Sequence, residues 1–237
     1  MDGVIVMGEI NPSLYPEIQE FGSLSSAVAY EANSRGLDLG RICSQAEAGA
    51  GLIYTAQMES SRGKIQVWLA ESDRAFFVGI QEGRFVWAEG ATSDLATLVA
   101  ASAAWRDGMP VVEFAENFSF MALTRLAAAR EAGDPIPTQW DWLLNSDIFE
   151  EERPLVAAVH ADGRFRRLFP NLSHGVLRLS VNLGMQGSRE IHIIPLGGGL
   201  YRVEDTALPG SQATVGGLNE AVEAAGELLD RGQGFEG

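Results

Sequence analysis

Four short β-rich runs in the first half of the chain constrain its fold more than any other sequence feature. The runs are LIYTAQM, KIQVWLA, AFFVGI and RFVWAEG, and the breaks that separate them are SSRG, ESDR and QEG. In the second run every second residue is apolar (Ile65, Val67 and Leu69), which is the period of a strand with one buried face. Because the breaks are turn-like, residues 37–89 predict an antiparallel meander.

Segments with helical periodicity precede and follow this predicted sheet. They are residues 23–36, residues 92–108, a segment from about 119 to 132, and a segment that begins near Pro135. Ser23 can cap the first helix, and Thr92 or Ser93 can cap the second. Such a cap is favourable because a hydroxyl oxygen accepts a hydrogen bond from a free backbone N–H at a helix start.

A charged break, EEERP at residues 150–154, divides the chain into two predicted regions, residues 1–149 and 150–237. The second region begins with a helix that extends to about His160. Three predicted strands follow, GVLRLSVNL, EIHIIPL and LYRVEDT, with ATV as a candidate fourth, and GLNEAVEAAGELLDRG predicts a closing helix. The predicted fold class is α+β: an N-terminal helix, an antiparallel meander and helices, followed by a smaller α-β-β-β-α unit.

The charge balance disfavours two classes of partner. The chain of 237 residues has 32 acidic and 17 basic side chains, for a net charge of −15. A surface this acidic disfavours nonspecific binding to nucleic acid and docking on anionic lipid. Cys43 is the only cysteine, so no intramolecular disulfide can form, and the sequence has neither a signal-peptide pattern nor an apolar stretch of membrane length. We therefore expect a cytoplasmic protein without nucleic-acid or membrane partners.

A cluster of cations stands out against this acidic background at residues 164–180, RFRRLFPNLSHGVLRLS. One interpretation is that the arginines stabilise a helix end and pair with the surplus acid. The other is that they form a positive site for a carboxylate-rich peptide, because a guanidinium matches a carboxylate and apolar side chains interleave with the arginines. The candidate peptide-binding residues are Arg164, Arg166, Arg167, Phe169, His174 and Arg178.

A metal-dependent enzyme is one alternative. His160 and Asp162 have the His-x-Asp form of non-haem iron oxygenases, and His192 could supply the second histidine. Arg202 follows His192 by ten residues, where such enzymes can hold a keto-acid carboxylate. Against this, the segment after His160 is predicted as a helix end, and the gap to His192 is too short for most of a jelly-roll barrel. The sequence therefore predicts no metal ligand and no cofactor.

A hydrolase is the second alternative, with Ser173 as nucleophile and His174 as base. Adjacent residues on a strand point to opposite faces, so they rarely hydrogen-bond as nucleophile and base. No nucleophile-elbow sequence surrounds Ser173, and the neighbouring Pro170, Asn171 and Gly175 are turn formers. The sequence therefore predicts no catalytic residue.

The order of several motifs resembles a bacterial family of uncharacterised natural-product biosynthesis proteins. The motifs are SLYPEIQEFGSLSSAVAYEANSRGLDL, WAEGATSDLATLVAASAAWRDG and RFRRLFPNLSHGVLRLS, with GLYRVED downstream. The resemblance spans roughly Tyr15 to Leu229. It is strongest in Tyr-Pro-Glu, in the Thr-Ser-Asp-Leu helix that ends in Trp-Arg-Asp-Gly, and in Leu-Phe-Pro with Ser-His.

This family includes the peptide-binding proteins of crocagin-type pathways, which act on a ribosomally made precursor. The resemblance implies a non-catalytic accessory protein that holds a precursor peptide for the modifying enzymes of its pathway. It offers no catalytic residues to carry over. An enzyme of the same pathway, or a self-protection protein that sequesters a toxic product, remain the alternatives. Membership of a family is an association, so the residues themselves must carry the functional argument.

Overall fold

The structure, a computed structural model, describes residues 10–44, 53–181 and 188–233. The N-terminal segment considered above for a signal peptide therefore lies mostly outside the described residues. The chain divides into two compact units, residues 1–131 and 132–237. Each described unit packs helices against one antiparallel sheet, so the predicted α+β class is confirmed. No described helix has the length and apolar character that a membrane crossing requires.

The first unit is built on an antiparallel meander, as the sequence predicted. Its described strands, paired in chain order, are β1 (Ile42–Cys43), β2 (Thr55–Ser60), β3 (Gly63–Leu69), β4 (Phe76–Glu82), β5 (Phe85–Thr92) and β6 (Met121–Leu123). Its described α-helices are α1 (Pro16–Phe21), α2 (Leu24–Ser34), α3 (Leu95–Arg106), α4 (Val111–Asn117) and α5 (Ala127–Glu131), and a short 3-10 helix, Pro12–Leu14, precedes them. The alternating residues Ile65, Val67 and Leu69 are buried, which confirms the predicted inner face of β3.

The helix starts show one confirmed cap and one correction. Ser23 accepts a hydrogen bond from the backbone N–H of Ser26 and caps α2, as predicted. The cap of α3 is Asp94, not Thr92 or Ser93, because its carboxylate accepts from the backbone N–H groups of Ala96 and Thr97. A carboxylate at a helix start gains from the helix dipole as well as from these bonds. The hydrogen bond from the Thr97 hydroxyl also lowers the pKa of Asp94.

The predicted helix over residues 119–132 is wrong in its first half. Met121–Leu123 forms β6, which pairs with β5, and only Ala127–Glu131 is helical. Gly90 explains the pairing, because a side chain there would collide with the backbone oxygen of Phe120. Tertiary pairing thus overrides the local helical preference of a short apolar run. Helix α4, which no sequence pattern indicated, fills the interval before β6.

The second unit contains a second antiparallel sheet with helices on one face. Its described α-helices are α6 (Pro135–Asn145), α7 (Arg153–Ala161) and α8 (Leu218–Gln233), and a short 3-10 helix, Asp147–Phe149, lies between α6 and α7. Its described strands are β7 (Phe169–Ser173), β8 (Val176–Ser180), β9 (Glu190–Gly197), β10 (Leu200–Asp205) and β11 (Ala213–Gly216), ordered β11-β10-β9-β8-β7. The three predicted strands and the candidate fourth are present. Strand β7 was missed because Pro170, Asn171 and Ser173 are typical of turns, yet proline is tolerated in an edge strand.

The boundary between the units lies eighteen residues before the predicted one, after Glu131 rather than residue 149. Helix α6 accounts for the difference, because its Trp140 and Leu143 are buried in the core of the second unit. The indole N–H of Trp140 also donates to the backbone oxygen of Leu168 at 3.1 Å. The charged break at residues 150–154 therefore lies inside one unit, and its last two residues, Arg153 and Pro154, begin α7.

The core of the second unit lies on one face of its sheet. The buried strand residues of this core are Leu177, Leu179, Ile191, Ile193 and Val203, which pack with the apolar sides of α6, α7 and α8. Successive strand residues point to opposite faces, so their neighbours form the other face. We call this the outer face; no described helix of the unit packs on it.

Candidate functional site

Arg164 is a structural residue. Its Nε and Nη2 donate to the carboxylate of Asp162 at 3.0 and 2.6 Å, and Nη2 lies 3.3 Å from Glu223 on α8. These hydrogen bonds lower the pKa of Asp162, and the same pairing raises the pKa of Arg164. The guanidinium therefore ties the turn after α7 to α8 and is not free for a ligand.

Arg166 and Arg167 have different surroundings. Arg166 donates to the backbone oxygens of His160 and Ala161 at 3.0 and 3.1 Å, which are carbonyls at the end of α7. It therefore satisfies the helix end, as the first interpretation of the cluster predicted. Arg167 is exposed and makes no hydrogen bond or ion pair within the described part of the chain. The three clustered arginines thus do not converge on one site.

Phe169 and Arg178 come together on the outer face. Phe169 pairs with Ser180 and Asn171 pairs with Arg178 across β7 and β8, so Phe169 and Arg178 are diagonal neighbours. The outer face includes Phe169, Asn171, Ser173, Val176, Arg178, Ser180, Glu190, His192, Ile194, Arg202, Glu204 and Thr214. Arg178 lies near the middle of this set, flanked on its own strand by Val176 and Ser180.

The carboxylates of the outer face are engaged by a histidine. His192 Nε2 lies 2.8 Å from an oxygen of Glu190, and its Nδ1 lies 3.4 Å from an oxygen of Glu204. The register places Arg178, His192 and Glu204 in one row across three strands. The imidazole therefore stands between two acids, and Arg178 has neither of them within ion-pair distance among the described contacts.

Arg178 is half-buried and unpaired. Its Nε is buried without a hydrogen-bond partner, and within the described residues its guanidinium makes no ion pair. A buried N–H group that lacks a partner costs free energy, typically about 1–3 kcal/mol, and calls for an explanation. Sequence reasoning included Arg178 in the candidate set but gave it no distinction from the other three arginines. The structure provides that distinction.

His174 occupies the turn between β7 and β8 and is exposed. Its φ of +52° and the φ of +74° at Gly175 are the left-handed conformations that a two-residue type I′ turn requires. Ser173 Oγ lies 3.0 Å from His174 Nδ1. This corrects the expectation that the two side chains point apart, because His174 belongs to the turn and not to a strand. Within the described residues, no carboxylate contacts the imidazole to complete a hydrolytic triad.

The proposed iron ligands are also separated. The ring of His160 packs 5.0 Å from that of Trp140, on the helical side of the sheet, and Asp162 pairs with Arg164. His192 lies on the outer face, opposite that side. Within the described ranges, no group of three His, Cys, Asp or Glu side chains is placed to hold a metal ion.

Sequence reasoning missed the outer face as a unit. Glu190 and Glu204 were not singled out, and Arg202 was considered only beside a metal. The available signal was the alternation in the strands themselves, since polar side chains at 178, 190, 192, 202 and 204 alternate with buried apolar ones. That alternation predicts which residues of each strand lie on the same face. The register that brings these residues together across strands depends on tertiary pairing.

The comparison with known sequence families matches the second unit, which carries the outer face. The sequence family described as a "Family of unknown function (DUF6193)" matches residues 134–234. No curated protein and no solved structure matches the chain. The matched residues coincide with the second unit, which begins at residue 132, so the family resemblance and the structural division define the same module.

Proposed function

We propose that this protein is a non-catalytic, peptide-binding accessory protein that holds a ribosomally made precursor peptide for the modifying enzymes of a cytoplasmic natural-product pathway. The observation that carries the proposal is the unpaired Arg178 at the middle of the outer face. A guanidinium presents its donors as a fork that fits a carboxylate, and such charge-assisted pairs are stronger than neutral hydrogen bonds.

The neighbours of Arg178 suit a peptide. Phe169, Val176 and Ile194 are half-buried apolar side chains on the same face, and Asn171 adds an exposed amide. Binding surfaces for peptides combine apolar anchors with a few placed polar groups. The mixture supports a ligand that has both a carboxylate and apolar side chains.

The charge arrangement supports an anionic contact in spite of the net charge of −15. Glu190 and Glu204 both contact the ring of His192, and Glu204 also lies 3.4 Å from the Nε of Arg202, so both carboxylates have partners other than Arg178. The positive charge of Arg178 is left without a counter-ion among the described residues. A ligand carboxylate would supply that counter-ion and would give the guanidinium acceptors for its hydrogen bonds.

Calorimetric titration of the full chain with the precursor peptide encoded beside its gene tests the proposal. Arg178→Ala should weaken binding at least tenfold at low salt, because a partly buried charge-assisted pair contributes roughly 1.5–3 kcal/mol. Arg231→Ala is the matched control, since Arg231 lies on α8 in an exposed pair with Glu227. Higher salt should weaken the wild-type complex. The proposal is wrong if the precursor does not bind, or if Arg178→Ala binds it as tightly as wild type.

A further inference from the structure

A second arginine stands on the other side of β9 from Arg178. Arg178 on β8 pairs with His192 of β9, and Arg202 on β10 pairs with Ile194 of β9. Residues 192 and 194 occupy consecutive positions on the outer face. The Cα atoms of the two arginines are therefore separated by two strand spacings, about 10 Å, and by about 7 Å along the strands. Two long side chains can reach toward each other across this interval.

Arg202 is also incompletely paired. Its Nε is buried without a hydrogen bond. Its nearest carboxylate oxygen belongs to Glu204, at 3.4 Å, and that glutamate also faces His192. The side chain of Arg202 is 43% exposed, so it is accessible to a ligand. Other arginines with a buried unpaired nitrogen, such as Arg62, are fixed through their remaining nitrogens, here by Glu131.

The end of the outer face beyond Arg202 is apolar. Leu200 lies two residues before Arg202 on β10, on the same face, and is 47% exposed. Leu196, across the β9–β10 hairpin, is exposed to a similar extent. Exposed leucines beside an accessible arginine provide an apolar contact next to a positive one.

We propose that Arg178 and Arg202 together hold one carboxylate of the peptide above Ile194, and that Leu196 and Leu200 contact an apolar side chain adjacent to that carboxylate. The inference rests on the proposed peptide-binding function and specifies the chemistry that the site selects. Two arginines around one carboxylate complement its charge, whereas the two glutamates on either side of His192 disfavour a second acid at that position. The ligand is thus a peptide segment with a carboxylate beside an apolar residue.

The carboxylate can come from the peptide C-terminus or from an acidic side chain, and three forms of the precursor distinguish the sources. They are the unmodified peptide, its C-terminal amide, and a form with every Asp and Glu replaced by Asn and Gln. Each is titrated into full-length wild type, Arg178→Gln, Arg202→Gln and the surface control Arg231→Gln. We expect one modified peptide to bind wild type and the control at least tenfold more weakly than the unmodified peptide.

In Arg178→Gln and Arg202→Gln, the difference in affinity between the unmodified and the modified peptide should fall to less than threefold. Each variant lacks one of the two guanidinium groups that bind the carboxylate. Replacing Leu200 by Ser should weaken all three peptides alike, since the apolar contact is independent of the charge. The inference is overturned if both modified peptides bind wild type as tightly as the unmodified one, or if Arg202→Gln keeps the full discrimination. In either case peptide binding itself stands. If the unmodified precursor does not bind wild type, the proposed function fails, and the inference fails with it.

Discussion

The two units use the same architecture but present different surfaces on the sides of their sheets that face away from the helices. In the first unit, Trp68 and Phe77 stack with ring centroids 5.8 Å apart, and Gln66 and Gln81 hydrogen-bond to each other. These groups satisfy one another. In the second unit the corresponding surface carries arginines, glutamates and a histidine, and Arg178 is left without a partner among the described residues. Covering one side of a sheet with helices therefore does not by itself require the charged side chains on the outer face of the second unit.

The half-buried arginines of the two units also differ in whether they have partners. In the first unit, Arg62 lies 3.8 Å over the Trp105 ring and bonds to Glu131 and to backbone oxygens. In the second unit, Arg189 pairs with Asp205 and donates to the backbone oxygen of Leu228. Each joins separate elements of its own unit. Arg178 makes no ion pair among the described residues and its buried Nε has no hydrogen-bond partner, so a structural role of this kind does not account for its half-buried position.

The largest expected effect on stability comes from Arg189→Met. The side chain of Asp205 is 0% exposed, and removal of Arg189 leaves this charge buried without its ion pair. Breaking such a pair costs about 3–5 kcal/mol. Urea denaturation should show the loss, and hydrogen exchange should place it mainly in residues 188–233. Arg231→Met, in an exposed pair, should cost about 0–1 kcal/mol. Equal effects of the two substitutions would contradict a structural role for Arg189.

A somewhat smaller effect is expected from Arg62→Met in the first unit. The substitution removes the bonds to Glu131 and to the backbone oxygens of Trp105 and Met109, but Glu131 is partly exposed and still accepts from the N–H of Val111. Methionine can also pack on the Trp105 ring. We expect a loss of about 2–3 kcal/mol in the free energy of unfolding. Reduced exchange protection confined to the second unit would contradict the assignment.

Asp162→Asn tests the paired part of the arginine cluster through pH. Because Arg164 lowers the folded-state pKa of Asp162, the stabilisation is present in full above the unfolded value, near 4, and is lost as the pH falls through the folded value. At pH 7 the variant should be less stable by about 1–2 kcal/mol. The difference from wild type should shrink below pH 4 and vanish at lower pH. A difference that is constant from pH 7 to pH 2 would exclude the ionic origin.

The sequence predicted those elements in which one face is uniformly apolar. The alternation in β3 and the apolar stripe of α8 are local signals, so they survive in any tertiary context. The elements that were missed depend on distant partners. Strand β6 pairs with β5 where Gly90 lies opposite Met121 and leaves room for the backbone oxygen of Phe120, and β7 pairs with β8 despite its turn-forming residues. The domain boundary was misplaced for the same reason, since only the core shows which sheet α6 covers.

The candidate site was predictable in composition but not in geometry. The proximity of Arg164, Arg166 and Arg167 in the sequence suggested one positive site, yet the helix end and Asp162 occupy two of them. Arg178 and Arg202 are far apart in the sequence and become neighbours across one strand only through the register of three strands. Proximity in the sequence therefore does not predict which of these arginines lie close together in the fold.

His174→Asn is expected to stabilise the protein slightly. His174 adopts a left-handed backbone conformation, and Asn followed by Gly is the preferred pair for a type I′ turn. Relief of this backbone cost should add about 0.5–1 kcal/mol to the free energy of unfolding, measured by urea denaturation. His174→Val is the contrasting variant, since a β-branched residue is strained at positive φ. If His174→Asn binds the peptide as tightly as wild type, His174 is not a binding residue. A tenfold loss of peptide affinity would instead show that His174 contacts the peptide.

The smallest expected effect on stability is that of Arg178→Ala, the substitution expected to weaken peptide binding. Loss of the side chain removes apolar contacts made by its methylene groups, and it also removes a buried N–H without a partner. These contributions oppose each other, so the free energy of unfolding should change by less than about 0.5 kcal/mol. Arg178 would then differ from Arg189 by several kcal/mol although both are half-buried arginines of one unit. A loss comparable to that of Arg189→Met would instead mean that Arg178 stabilises the fold, and its value as a ligand-binding residue would have to be argued from affinity alone.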